Sequence, residues 1–338
     1  MRFVLLKHLK EDDKIAKNIY DAKGIMLAKA GSIISAKLIE RLKDMNIYGL
    51  YILDEETKDL VIEEIISDSV KSRAIYAMLE KNWEDVIEIA KSFVNILKDI
   101  KIDKINFIDA KTNSHYIEKH AISMCVYSII LGKTLGMTEE QLENLAIISL
   151  LSHYGLTQIP KEIVEKPIED LSKDEIRIIK NYPRINFEYF SHDKYLPINS
   201  LIRNGLLTIG ENIDGQGFFS ISGDKLTIYS KIMHIVDCYD CLISPRPNVE
   251  AKSIPDAMEY IMARNGTYFD PKIVSVFTSI FPVYPNGISL QLSNGEIAVV
   301  YSSEHNSLRP IVKILGKDYL VDLFDNENYR SVTILGIY

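Results

Sequence analysis

The chain has 338 residues, of which 47% are hydrophobic and 25% charged, and its formal net charge is −8. These values are typical of a folded protein with about two or three domains and a sizeable core. The acidic balance argues against binding to nucleic acid or to an anionic membrane surface, because both need a cationic field. Three cysteines, no signal peptide and no stretch of roughly 18 apolar residues predict a cytoplasmic protein without membrane insertion.

The first 110 residues are predicted to form a small α/β module, residues 1–55, followed by a helical connector, residues 56–110. The module contains strands at 3–6 and 48–53, a hairpin of 15–20 with 24–30 around the turn at 21–24, and a helix at 36–45 that Ser35 caps. The connector is rich in acids and lysines and has apolar residues at helical spacing. A homodimer formed through the helices of residues 70–110 is one expectation.

Residues 111–282 have the spacing of a mainly helical domain. Thr138 and Ser172 are placed as helix caps, and Glu175 follows Ser172 at the spacing of a capping box. Residues 212–226 are polar and glycine-containing, which predicts a loop before a helix at 227–243. Residues 283–338 are predicted to form a β-rich appendage, with a hairpin around Ser293-Asn294-Gly295. The expected fold class is therefore mainly α.

Four segments in register resemble the motifs of the bacterial HD-GYP family over about residues 115–280. Residues 150–160, LLSHYGLTQIP, resemble LLHDIGKxxIP and are followed by a Lys-Pro pair, as in the family. Residues 211–219 resemble HHExxDGxGYP, residues 232–247 resemble RIxxVxDxFDALxxxRP, and residues 266–271 resemble GxxFDP. The resemblance implies a helical HD-type domain and hydrolysis of cyclic di-GMP. Such hydrolysis needs two or three metal ions to neutralise the phosphodiester and activate a water.

The resemblance places few of the expected metal ligands on suitable residues. The first family histidine falls on His120, and the late aspartate falls on Asp237. The HD dyad falls on Ser152-His153, so that His153 is an unorthodox third candidate. The remaining expected ligand positions hold non-ligand residues, namely Tyr116, Tyr182, Ile209 and Gly210. The chain thus resembles a degenerate family member.

The phosphate-binding residues that the resemblance implies are also reduced. The candidate nucleotide-binding residues are Glu211, Gly215, Gly217, Phe218 and Arg246. Phe218 replaces the tyrosine of GYP and lacks its hydroxyl, whereas Leu156 and Val249 stand at basic positions of the family. Arg246 alone retains a group that can bind a phosphate bidentately.

Each of these residues also has a possible role that is purely structural. His120 is either a ligand or a buried histidine with a hydrogen-bonding neighbour, and His153 either pairs with His120 or Asp237 or is a polar residue at a helix end. Asp237 is either a remnant ligand or a hydrogen-bond acceptor. The cysteines of Cys238-Tyr239-Asp240-Cys241 are interpreted as core-facing, because no second cluster accompanies them. Gly215 and Gly217 serve either phosphate binding or turn geometry, and Arg246 either binds an anion or caps a helix.

The joint loss of ligands and phosphate-binding groups predicts a non-catalytic HD-GYP-like adaptor or regulator that acts through protein partners in bacterial signalling. The expected protein has no catalytic residue and no cofactor, or at most a single divalent ion (Fe, Mn or Zn) at low occupancy. Two alternatives are a remodelled metal-dependent phosphohydrolase that uses His120, His153 and Asp237, and a receptor that binds cyclic di-GMP without cleaving it.

Overall fold

The computed structural model describes residues 1–20, 26–45, 47, 49–60, 62, 65–100, 115–192, 196–246 and 248–338. The predicted turn at 21–24, residue Tyr48 of the predicted returning strand, and Pro247 lie outside the described residues. So do residues 101–114, which include the end of the predicted connector.

The N-terminal unit is the predicted combination of short strands and one helix. It consists of β1 (Arg2–Leu5), β2 (Lys14–Ile15), β3 (Ile19–Tyr20), β4 (Met26–Ala28), α1 (Ala36–Asp44) and β5 (Gly49–Leu53). Three strands form an antiparallel sheet in the order β1-β5-β2, and β3 pairs with β4 as the predicted hairpin. Ser35 caps α1 by accepting a hydrogen bond from Leu38 N, as expected. Leu42 of α1 packs in one core with Val4 and Ile52.

Helices dominate the middle of the chain. They are α2 (Asp68–Leu79), α3 (Trp83–Lys98), α4 (Tyr116–Thr134), α5 (Glu139–Leu151), α6 (Lys161–Val164), α7 (Lys173–Lys180), α8 (Tyr182–His192), α9 (Ser200–Thr208), α10 (Ile228–Ile243), α11 (Ile254–Ala263) and α12 (Pro271–Ile280). Both predicted caps are capping boxes, Thr138 with Gln141 on α5 and Ser172 with Glu175 on α7. The fold is mainly α, as predicted.

Helix α4 is the centre of this helical body. Every residue from 120 to 132 is buried, and α4 contacts α2, α3, α5, α10 and α12. A helix that is apolar on all sides is stable only inside a core. His120, the first buried residue of α4, is therefore held away from water. Among the described helices, none is long and apolar enough to cross a membrane.

The C-terminal part is a five-stranded antiparallel sheet, larger than a single hairpin. Its strands β6 (Ser289–Leu292), β7 (Ile297–Ser302), β8 (Ile311–Ile314), β9 (Leu320–Asp322) and β10 (Ile334–Ile337) lie in the order β10-β6-β7-β8-β9. The predicted hairpin joins β6 to β7, and Gly295 in its turn has φ +86°. A positive φ at this position suits glycine and explains the turn signal.

The two sheets, distant in sequence, meet in space. Phe3 N donates to Gly287 O at 2.6 Å, and Leu5 N donates to Tyr338 O at 3.3 Å. Phe3, Leu5 and Tyr51 form a small apolar cluster against which Ile337 packs. The sequence pattern did not predict this contact, because each sheet has its own regular alternation and nothing local pairs one with the other.

Candidate metal and nucleotide site

Helices α4 and α10 pack together and bring one histidine against two carboxylates. Asp237, Asp240 and Cys241 are three and four residues apart on α10 and so share one face. His120, 1% exposed, lies opposite them on α4. Its Nδ1 donates to Asp240 Oδ2 at 2.6 Å, and its Nε2 donates to Asp237 Oδ1 at 2.9 Å. The imidazole is therefore held from both sides by carboxylates.

Opposite charges on His120 and the two aspartates stabilise this buried cluster. Burial alone would lower the pKa of His120, but the neighbouring Cys241 and the hydrogen bonds to both aspartates raise it well above 6.5. Burial would raise the pKa of Asp237, but His153 and His120 hold it well below 3.8. The result is an imidazolium paired with carboxylates inside the helical body.

His153 approaches the same carboxylate from the end of α5. The Ser152 hydroxyl lies 3.0 Å from Ser149 O and 2.9 Å from His153 Nδ1, within hydrogen-bonding distance of both acceptors. His153 Nε2 lies 3.4 Å from Asp237 Oδ1. Burial and the adjacent His120 lower the pKa of His153, and in the neutral ring the tautomer protonated at Nε2 directs that proton toward Asp237 and accepts at Nδ1 from Ser152. Asp237 is therefore approached by both histidines.

Cys241 completes a compact group of possible ligand atoms. Its Sγ lies 3.5 Å from Asp237 Oδ1 and 3.9 Å from His120 Nε2. Tyr116 OH lies 3.5 Å from the same sulfur, and the Tyr116 ring stacks on His120 with centroids 5.5 Å apart. One ligand atom from each of His120, Asp237 and Cys241 lies within 4.8 Å of the other two. Cys241 thus faces the His120–Asp237 pair and is half-buried, which the core-facing interpretation did not anticipate.

The carboxylate of Glu211 binds backbone amides of the loop of residues 212–226. Glu211, 1% exposed, accepts hydrogen bonds from Phe219 N at 2.5 Å and Ile221 N at 3.0 Å. A Cβ on Gly217 would lie 2.5 Å from Glu211 Cα, and Gly215 has φ +77°. Both glycines therefore meet steric and backbone requirements of the loop. Glu211 organises the loop through its backbone amides.

We expect Glu211→Ala to lower the free energy of unfolding by about 3 kcal/mol, because it removes two hydrogen bonds to a buried carboxylate. Urea denaturation followed by circular dichroism measures this loss. Asp214→Ala is a matched control in the same loop, since Asp214 accepts one exposed hydrogen bond from Gln216 N. A loss at Glu211 no larger than that at Asp214 would contradict the role of Glu211 as the anchor of the loop.

The loop reaches the His153 side of the site through its aromatic rings. The Phe218 ring lies 6.2 Å from that of Tyr182, which in turn stacks on His153 at 5.4 Å. Two basic residues that the sequence analysis did not single out lie on this side: Lys180 Nζ is 5.8 Å from the Phe218 ring, and Arg184 is 5.6 Å from the Phe219 ring. Cationic groups therefore border the loop.

Arg246 lies beyond the end of α10, with its backbone paired to Val249. Its Nε is buried and has no hydrogen-bond partner among the described residues. Burial would lower the pKa of Arg246, but the nearby Cys241, Tyr116 and Asp237 raise it. The guanidinium is thus close enough to interact electrostatically with the site.

Comparison with known proteins matches this geometry to one family. The family model of the HD domain matches residues 104–273, which is half of the chain. Cyclic di-GMP phosphodiesterase PA4108 of Pseudomonas aeruginosa is 24% identical over 212 residues, 62% of this chain and 50% of that protein. The chain belongs to the HD-GYP family. The response regulator RpfG of Xanthomonas campestris, also named a cyclic di-GMP phosphodiesterase, is 30% identical over 148 residues, 43% of this chain and 38% of RpfG.

A solved structure supports the fold of this HD-GYP protein. Bd1817, an HDG"Y"P protein from Bdellovibrio bacteriovorus, aligns with a TM-score of 0.52 at 18% identity, covering 81% of this chain and 97% of Bd1817. At this identity the likeness concerns the fold. The chain spans half or less of the length of the two phosphodiesterases named above.

The structure groups some of the candidate residues of this HD-GYP chain and separates others. His120, His153 and Asp237 lie together, whereas Gly215 lies out in the loop, where the nearest atoms to a Cβ belong to Ser222. Sequence reasoning missed Asp240 as a partner of His120 and Cys241 as a possible ligand. The available signal was their spacing from Asp237 along one helix, which places all three on a common face.

Proposed function

We propose that this chain is a non-catalytic HD-GYP protein that acts as a signalling adaptor or regulator through protein contacts. The observation that carries the proposal is the replacement of ligands by rings and aliphatic groups around the site. Tyr182, which stands where the family places a histidine, is 5% exposed and stacks on His153. Ile209, also at a histidine position, is buried in the core, and Tyr116 covers His120.

The metal that the family implies fits these residues as one ion and not as a pair. A two-metal centre needs carboxylates and imidazoles on both sides of a bridging water. Among the described residues, the compact donor set is His120, Asp237 and Cys241, with His153 beside Asp237. A bound ion there would supply Lewis acidity to an anionic ligand. A single ion can stabilise the attacking oxygen or the leaving oxygen of a phosphodiester, whereas a two-metal centre stabilises both.

Support for a role in protein contacts comes from the surface of α2. Tyr76 is 67% exposed and Leu79 is 44% exposed, and the two are three residues apart on one face of the helix. Exposed apolar groups at helical spacing are typical of contact surfaces. A homodimer through this region and a complex with a different protein are both consistent with this surface.

The second candidate function is a receptor that binds cyclic di-GMP without hydrolysing it. It is favoured by the Arg246 guanidinium, whose buried Nε lacks a hydrogen-bond partner among the described residues. Arginine binds phosphate oxygens bidentately, and Lys180 and Arg184 add positive charge beside the loop. Leu156 and Val249 at the family's basic positions argue against tight binding.

We expect the purified chain to show no hydrolysis of cyclic di-GMP above the buffer blank, with Mn²⁺, Fe²⁺ or Zn²⁺ added, when products are resolved by chromatography. An active relative such as RpfG serves as the positive control. Turnover comparable to that relative, lost in both His120→Ala and Asp237→Ala, would overturn the proposal and favour the phosphohydrolase. Calorimetric binding of the nucleotide that Arg246→Ala abolishes, without turnover, would favour the receptor.

A further inference from the structure

Three ligand atoms of different chemical type converge between α4 and α10, and their spacing is close to that of the ligands around a tetrahedral metal ion. The distances are 2.9 Å from His120 Nε2 to Asp237 Oδ1, 3.5 Å from that oxygen to Cys241 Sγ, and 3.9 Å from Cys241 Sγ to His120 Nε2. Zinc bond lengths of about 2.0–2.3 Å at tetrahedral angles require separations of about 3.3–3.6 Å. Each observed distance is within about 0.5 Å of that range, so small side-chain shifts suffice.

We propose that Cys241 is a thiolate ligand which, with His120 Nε2 and Asp237, holds a single borderline-soft cation of the zinc class. The family motif has alanine at the position of Cys241, so this ligand is a property of the present chain. These three residues leave the fourth position of a tetrahedron to a ligand outside the set. The inference goes beyond the proposed function, because one ion of this kind is compatible with an absence of phosphodiesterase activity.

Asp240 orients the imidazole for this role. Asp240 is completely buried and accepts the His120 Nδ1 proton at 2.6 Å. A carboxylate that binds one imidazole nitrogen directs the other toward a metal and makes it a better ligand. Asp237 and Cys241 are fixed one turn apart on α10, so two of the three ligands are positioned by a single helix. The ion would replace the Nε2 proton that His120 now shares with Asp237.

The ligand set determines which ion fits. A thiolate with one imidazole and one carboxylate favours Zn²⁺ and Co²⁺ over Mg²⁺ and Mn²⁺, whose preferred ligands are oxygens. The negative charges of Asp237 and of the thiolate balance a divalent cation, which a buried site requires. The Tyr116 hydroxyl, 3.5 Å from Cys241 Sγ, is placed to donate to the thiolate. The expected ion is therefore Zn²⁺ or Co²⁺, and not Mg²⁺ or Mn²⁺.

The test is cobalt absorption of the full chain, stripped with EDTA and kept reduced by a phosphine. We expect Co²⁺ to produce a near-ultraviolet thiolate-to-cobalt charge-transfer band that saturates at one equivalent and is removed by Zn²⁺ but not by excess Mg²⁺. Cys241→Ser should lose the band, whereas Cys238→Ser, next to Asp237 but outside the ligand set, should keep it. Asp240→Asn should weaken cobalt binding by about 10–100-fold.

No charge-transfer band in the wild type, or an equal band in Cys241→Ser, overturns the proposal. A second measurement needs no variant: one equivalent of Zn²⁺ should slow alkylation of Cys241 at least about 10-fold while Cys238 reacts as before, as mapped by mass spectrometry. Equal alkylation of Cys241 with and without Zn²⁺ also overturns it. Both measurements are independent of hydrolysis. A failure of the metal-site inference therefore leaves the non-catalytic proposal intact. Detection of hydrolysis would overturn the non-catalytic proposal without contradicting the metal site.

Discussion

Replacing His120 with alanine should lower the free energy of unfolding by about 3–5 kcal/mol at pH 7 in the presence of EDTA. His120 is 1% exposed and donates one hydrogen bond to Asp240 and one to Asp237. Its removal deprives both aspartates of their imidazolium partner where Asp240 is completely buried, and removing one partner of a buried ion pair is strongly destabilising. Urea denaturation measured by circular dichroism gives the difference directly.

The matched control is His192→Ala, at an exposed histidine of α8. A surface change of this kind should stay within about 0.5 kcal/mol of the wild type. A loss below about 1 kcal/mol for His120→Ala would show that water reaches the aspartates and that the cluster is not held as described. Added Zn²⁺ should stabilise the wild type and not His120→Ala, which links this measurement to the proposed ion.

Acid should destabilise the protein through His234, and His234→Phe should remove that effect. His234 lies on α10, its Nε2 is buried without a hydrogen-bond partner among the described residues, and its ring lies 5.1 Å from that of Phe269. Burial lowers the pKa of His234 to about 4, against a smaller opposing effect of Asp237. The unfolded chain therefore binds this proton at a higher pH than the folded chain does.

The direction and size of the effect follow from linkage. A depressed folded pKa means that stability is present above the unfolded value of about 6.5 and is lost as the pH falls toward about 4. The difference in pKa corresponds to at most about 3 kcal/mol. Burial also lowers the pKa of His153, which contributes in both proteins, so the comparison of wild type with His234→Phe isolates His234.

The measurement is the free energy of unfolding at several pH values from 7 to 4, by urea denaturation. His234→Phe should lose less stability over this window than the wild type, by about 3 kcal/mol. His305→Gln, at an exposed histidine of the C-terminal sheet region, should follow the wild-type curve. Parallel curves for wild type and His234→Phe would show that His234 titrates in the folded protein as it does in water.

Local rules were enough to predict much of the fold of this chain. The caps at Ser35, Thr138 and Ser172 and the hairpin turn at Gly295 are all where the sequence places them, because each depends on neighbouring residues alone. The four motifs in register likewise indicated the HD-GYP family. Their residue types predicted a reduced set of metal ligands before any distance was known.

Tertiary structure decided which chemical groups meet. His120 and Cys241 are 121 residues apart in sequence, and their contact exists because α4 packs against α10 inside the core. The spacing of Asp237, Asp240 and Cys241 indicated a common helix face, but a face can point to a core, to water or to a ligand, and periodicity does not distinguish these. The partner of each side chain is set by the packing of distant segments. For that reason the sequence predicted which expected ligand positions hold other residue types, whereas the structure alone placed Cys241 beside His120 and Asp237.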